Sequence, residues 1–222
     1  MANLHKFDLQ TLPAMAWKNG GGVTREIVRE PAGASLEDFD WRVSVADIAA
    51  AGPFSRFVGI DRHLLLLEGD GVHLTSAEAG LDVSLLADGT VLAFSGDVDM
   101  GSQLLGGAVR DFNVMTKRGV WQAQVEVWTA EGCIHAEAGL VLQTRGQARC
   151  LLSENDAIFN TGQGGWWQGQ MASLHWQPLS VDAKAIVVVL KSVSAGVATA
   201  CMVLIVRAWL KRSLLVWVQS KT

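Results

Sequence analysis

An all-β fold, with two antiparallel sandwiches or barrels in tandem, is what the sequence predicts, and three observations predict it. Short apolar segments alternate with Gly-, Asp- and Pro-containing turns at intervals of roughly ten residues, the rhythm of an antiparallel sheet. No long segment with a helical period occurs before residue 193. The piece from Leu140 to Cys150, turning at Gly146, echoes the piece from Leu64 to Leu74 around Gly69, which suggests a second copy of the unit.

Taken in order, residues 3–12 form an opening strand closed by Pro13. Residues 23–29 follow three consecutive glycines and end at the Glu30-Pro31-Ala32-Gly33 turn. Residues 39–48 alternate Trp41, Val43 and Val45 with Arg42, Ser44 and Ala46, so one face is apolar and the other polar. Strands at 63–68 and 72–75 flank the Gly69-Asp70-Gly71 hairpin turn. Further strands are expected at 81–86, 91–94 and 109–115. A second, shorter set covers 121–129, 132–136, 139–144, 148–152, 157–159, 172–177 and 185–190. Residues 162–169, with Trp166 and Trp167 among glycines, read as a loop presenting exposed aromatics.

With 222 residues, half of them apolar, the chain can bury a sizeable core. A net charge of −4 argues against a nucleic-acid partner, which needs a basic face. The balance is uneven, because residues 1–192 hold 14 basic and 22 acidic residues, whereas 193–222 hold basic residues alone. Cys133, Cys150 and Cys201 are odd in number and lack a CxxC spacing, which fits a reducing compartment. No apolar stretch of signal-peptide length stands at the N-terminus, so the expected location is cytoplasmic.

The stretch Trp17-Lys18-Asn19-Gly20-Gly21-Gly22-Val23-Thr24-Arg25-Glu26 sets cations, an amide and a hydroxyl beside bare backbone. Such backbone either turns tightly or cradles an anion with its N–H groups. It is not a P-loop, since no Gly-Lys-Ser/Thr ending follows. Arg42 and Ser44 project from one strand face, and Arg56, Arg62, Lys18 and Arg25 add charge in the same half. Asp40, Asp61 and Asp111 are the internal partners that would neutralise those arginines instead. Asn113 offers a donor and an acceptor, and Phe54, Phe112 and Trp17 would either wall a flat ligand or fill the core.

Four blocks carry a resemblance. They are Trp17 to Glu26, Phe39-Asp40-Trp41-Arg42-Val43-Ser44-x-Ala46, Gly52-Pro53-Phe54-Ser55-Arg56-Phe57-x-Gly59-x-Asp61-Arg62, and Asp111-Phe112-Asn113-Val114-Met115-x-x-Arg118-Gly119. In this order they resemble the HutD/Ves family, over about residues 3–190. The resemblance implies a bicupin, two jelly-roll-like β-barrels in one chain. It also implies a role in bacterial histidine utilisation, in which the protein restrains the pathway by binding a small pathway metabolite. On this reading residues 1–118 form the first barrel and 119–192 the second, smaller one. Residues 193–222 are then an apolar and basic extension, expected to be helical.

Cupin enzymes usually hold a metal through a His-x-His pair, and none occurs here. His63, Glu68 and His73 stand five residues apart, and Cys133-x-His135 supplies only two ligands on one face. No metal or cofactor and no catalytic nucleophile is therefore expected. The expected ligand is a small carboxylate of the urocanate or formylglutamate type. Gly20, Gly21 and Gly22, with Lys18 or an arginine, would hold its carboxylate, and Asn113 and Asp111 its polar far end. Two other readings stay open: a metal-independent isomerase or lyase using Asp61, Asp111 or Glu26 as base, and a ligand-free interaction module. Residues 193–206 carry no charge, and as a helix would span about 21 Å, short of a ~30 Å hydrocarbon core. That segment is expected to pack on the barrel, on a protein partner or at a membrane surface, and a homodimer is a further expectation.

Overall fold

The computed structural model describes residues 2–193, in which seventeen strands and their turns account for the chain and no helix occurs. The strands are β1 (His5–Asp8), β2 (Ala14–Ala16), β3 (Gly22–Glu30), β4 (Trp41–Ile48), β5 (Gly52–Phe54), β6 (Ile60–Glu68), β7 (Val72–Ser76), β8 (Leu81–Leu85) and β9 (Leu92–Ser95). Then come β10 (Met100–Leu104), β11 (Val109–Lys117), β12 (Trp121–Trp128), β13 (Gly132–Arg145), β14 (Gln147–Leu152), β15 (Asn155–Asn160), β16 (Gln163–Pro178) and β17 (Lys184–Ser192).

They form three sheets, ordered β2-β3-β4-β11-β6-β9, β5-β10-β7-β8 and β12-β17-β13-β16-β14-β15, with β1 added on β16. The N-terminal strand thus leaves the first half to pair with the second, His5 facing Trp166 and Asp8 facing Gln163. Among the described residues the ladders do not close into the expected barrels. Each sheet ends in open edges, and β2 and β5 are only three residues long. Closure comes instead from apolar faces packed on one another, the sandwich solution to the same burial problem.

Three cores result. Ile48, Leu64, Leu66, Leu74, Leu85 and Met100 fill the space between the first two sheets. Trp167, Trp176, Phe159, Val141 and Val187 fill the second half. Between the halves, Trp41, Val43, Val45, Phe112 and Val114 meet Leu140, Leu142, Ile186, Val188 and Leu190. Strands β13 and β17 therefore feed two cores with alternate residues, which is why 185–190 is continuously apolar.

Residues 162–169 are not an exposed loop. They open β16, and the Trp167 ring is fully buried. Gly139 faces it across the ladder, where a Cβ would lie 2.6 Å from ring carbons. The glycines there make room for aromatic rings instead of loosening the backbone. Residues 132–144, read as two strands, form the single β13, with a register irregularity between Ala136 and Ala138. The short strands β2, β5 and β10 have no alternating signal of their own and depend on their neighbours. The expected helical extension at 193–222 lies outside the described residues, apart from Val193. None of the described helices is long and apolar enough to cross a membrane, since none is present.

Candidate functional site

The polar face of β4 decides the site. Trp41, Val43 and Val45 point into the core between the halves, so Arg42, Ser44 and Ala46 point the other way. On the neighbouring strand Phe112 and Val114 take the core, leaving Asp111, Asn113 and Met115 beside them. Arg62 of β6 stands opposite Met115. Trp17, Lys18 and Asn19 cover one end, and Phe54, Ser55 and Phe57 another. Together they enclose a cavity of about 520 Å³, open to solvent on one side. That volume suits a small molecule.

The cations on this wall are not equivalent. Arg42 donates from Nε to Glu26 Oε2 at 2.7 Å, and Glu26 also meets Arg29. Its charge is largely neutralised. Arg62 is 4% exposed and makes no ion pair with any described residue. Its Nη1 donates to the Ser55 carbonyl at 3.3 Å, and its buried Nε has no acceptor. The rings of Phe54, Phe57 and Phe94 surround the guanidinium, with centroids 5.3, 5.7 and 5.0 Å from Cζ. Burial pushes Arg62 down to about 10, so it stays charged at neutral pH.

Asp111 is buried, and burial pushes its carboxyl up to about 7 against the opposing pull of Arg62 and of the Ala46 N–H. Beside it the Asn113 Oδ1 is buried without a hydrogen-bond donor. A guanidinium with a spare donor, a carboxyl close to its titration point and an orphan amide oxygen thus share one wall. Buried polar groups are normally satisfied, so two orphans on one cavity wall stand out among the described residues. The other orphan nitrogens, Trp41 Nε1 and His63 Nδ1, lie outside the lining.

Among the residues named from sequence, Trp17, Lys18, Asn19, Thr24, Arg42, Ser44, Phe54, Ser55, Arg62, Asp111 and Asn113 line the cavity. The others do not. Phe112 points to the opposite face, into the core. Arg25 binds Asp47 and lines a separate cavity of about 470 Å³ with Arg110 and Arg145. Arg56 is exposed, 3.5 Å from Asp99, and Asp61 is held by Arg118. The glycines are no anion cradle either. The Gly20 N–H donates to the Trp17 carbonyl at 3.0 Å and the Gly21 N–H to Asn19 Oδ1 at 3.0 Å. Gly22 is needed for space, because a Cβ there would lie 2.4 Å from the Asp47 carbonyl.

Sequence reasoning missed Met15, Ala16, Leu36, Ala46, Pro53, Phe57 and Met115 in the lining. Ala46 and Met115 were within reach, because they continue the alternation of Arg42 and Ser44 and of Asp111 and Asn113. The rest are brought in by tertiary packing.

The comparisons with known proteins agree with this architecture. The HutD family model matches residues 9–188. The chain belongs to the HutD family. A protein from Pseudomonas putida described as an uncharacterized 21.2 kDa protein in the hutC 3′ region is 38% identical over 142 residues, covering 64% of this chain and 73% of that one. Protein Ves of Escherichia fergusonii is 35% identical over 166 residues, covering 72% and 81%. The solved structure of HutD from Pseudomonas fluorescens SBW25 superposes with a TM-score of 0.73 at 26% identity, covering 86% of this chain and 99% of that one. At the level of fold alone, a cupin 2 conserved barrel domain protein from Leptotrichia buccalis superposes with a TM-score of 0.54 at 9% identity, covering 84% and 96%. The HutD-family chain is thus all-β and cupin-like.

Proposed function

We propose that this HutD-family protein captures a small carboxylate metabolite in the first-half cavity and, through that capture, modulates histidine utilisation. The observation that carries the reading is Arg62, a buried guanidinium that among the described residues has no ion pair and no acceptor for its Nε, on a cavity wall. A buried cation without an ion pair is costly, and an anionic guest lowers that cost. Arg62 takes the carboxylate, Lys18 at the exposed rim steers it in, and Asn113 Oδ1 accepts a hydrogen bond from an N–H on the far end. A carboxylate joined to an amide or imidazole N–H meets both demands, as urocanate and N-formylglutamate do. The names of the Pseudomonas relatives, HutD and the hutC 3′ region protein, support the pathway.

Calorimetry with urocanate and N-formylglutamate tests it. Saturable heat with wild type, lost in Arg62→Met, supports the reading; no heat from folded wild type removes it.

One observation favours a second reading. Asp111 sits in the same cavity with a carboxyl that exchanges its proton near neutral pH, as a metal-independent lyase or isomerase requires. Turnover of either acid by wild type, abolished in Asp111→Asn, would replace capture by catalysis. Completing the proposal, we infer a cytoplasmic location, to which the free thiols of Cys133 and Cys150 lend support. A protein or membrane contact through residues 193–222 and a homodimer belong to the same proposal.

A further inference from the structure

The sheet that floors the first cavity carries a second cavity on its other face. Thr24, Ala46 and Asp111 line the first, and their chain neighbours Arg25, Val45 and Arg110 line the second, a space of about 470 Å³. Alternation produces this pairing, because successive residues of a strand face opposite ways. The far wall belongs to the other half of the chain, with Leu142 and Arg145 of β13. Val45 and Leu142 are part of the seam core, and Leu67 packs against it, so the floor is apolar.

We propose that this second cavity binds a small organic oxyanion, a carboxylate or phosphate monoester carried on an apolar body. Arg25 Nη1 donates to Asp47 Oδ2 at 2.5 Å, and Arg110 Nε donates to Asp47 Oδ1 at 2.6 Å. One carboxylate thus fixes two guanidiniums side by side, each keeping donors of the fork that suits carboxylate and phosphate oxygens. Arg110 Nη1 also donates to Glu68 at 3.0 Å, but that carboxylate is 66% exposed, and an ion pair so placed contributes little. The Arg145 side chain makes no hydrogen bond or ion pair with any described residue. Three guanidiniums therefore stand against two carboxylates, Asp47 and Glu68, in a stretch of chain that is acidic on balance. Arg145 also faces Lys184 in the register of β13 and β17. Two cations directly opposite on neighbouring strands repel each other. Both line an adjoining recess of about 80 Å³, which shares Leu67 and Thr144 with the cavity. An anion seated against Arg145 relieves that repulsion, and the apolar floor takes the rest of the molecule. The volume is in the range of small-molecule sites.

Calorimetry on the full chain with benzoate and phenyl phosphate tests the site, since the two probes present a carboxylate and a phosphate monoester on the same ring. Wild type is expected to give saturable heat with at least one of them, and the tighter probe identifies the anionic group. One equivalent of that binding weakens at least about tenfold in Arg145→Met and further in Arg145→Glu. The same equivalent persists in Arg62→Met, which strips the first cavity of its buried guanidinium. Arg145 is exposed, so changes there leave the core untouched, and far-ultraviolet circular dichroism checks the fold of every variant. The proposal is overturned by a folded wild type that gives no heat with either probe, by undiminished affinity in Arg145→Glu, or by binding that disappears in folded Arg62→Met.

Discussion

Asp111 Oδ1 accepts a hydrogen bond from the Ala46 N–H at 3.2 Å, and among the described residues that is its one hydrogen bond. The two residues are register partners on β11 and β4, so the bond spans the floor of the cavity. Arg42 and Arg62 face the same carboxyl, yet neither comes close enough for an ion pair. Arg42 is committed to Glu26. Asp47, on the neighbouring strand, adds a repelling negative charge. Burial therefore dominates, and the carboxyl holds its proton up to about pH 7.

A pH dependence of stability follows. A carboxyl whose folded pKa lies above its unfolded value of about 3.9 binds more protons in the folded state between the two, so stability falls as pH rises through that interval. Above about 7 the loss is complete. Asp111→Asn removes the titration. Relative to wild type, the Asn variant is expected to gain stability from pH 5 to pH 8, at up to about 1.4 kcal/mol per unit. Urea unfolding at the two values measures this, and a constant difference between the proteins contradicts it.

Guest binding is expected to carry a proton. An anion beside Asp111 opposes its ionisation, so capture of N-formylglutamate should take up protons near neutral pH. Its affinity should rise as pH falls from 8 to 6, by no more than about tenfold per unit. Calorimetry in buffers of different ionisation enthalpy reads the uptake directly. Identical heats in every buffer would separate Asp111 from the binding event.

Two neighbouring glycines should respond differently to alanine. At Gly22 a Cβ would lie 2.4 Å from the Asp47 carbonyl, a backbone atom in the adjacent strand. Gly22→Ala is expected to destabilise by about 1–3 kcal/mol or more, and to disturb the Trp17 ring that covers the cavity. Gly20, at φ 71° with open space around it, should cost about 1–2 kcal/mol from backbone strain alone. Chemical denaturation ranks the pair, and equal losses would mean that the close approach at Gly22 relaxes freely.

Much of this arrangement was legible in the sequence because alternation reports faces directly. Arg42 and Ser44 lie where the period of two places them, and Asp111 and Asn113 follow on the adjacent strand. Phe112 shows the same rule misapplied: a residue between two cavity-facing positions must face away. Gly20–Gly22 were ambiguous because a turn and an anion cradle need the same bare backbone. Only the position of the Trp17 carbonyl and of Asn19 Oδ1 decides between them. The salt links that remove Arg25, Arg56 and Asp61 from the site join residues distant in sequence, and no local pattern reports them. Trp166 and Trp167 looked exposed because their neighbours are glycines, when those glycines admit the rings.

The seam between the halves is expected to make unfolding cooperative. Leu140 is fully buried there with Val43, Val45 and Val188. Leu140→Ala should cost about 2–5 kcal/mol. Intrinsic fluorescence and far-ultraviolet circular dichroism should shift together in denaturant. Two separated transitions in the variant would show halves that fold independently.

Arg62→Met tests the central claim most directly, because it keeps the bulk inside the Phe54, Phe57 and Phe94 cage and deletes the charge. Titrated with N-formylglutamate, wild type should bind with saturable heat and the folded Met variant at least about a hundredfold more weakly, a loss of about 2.7 kcal/mol. Equal binding by both proteins would show that the cavity's buried guanidinium is not what holds the anion.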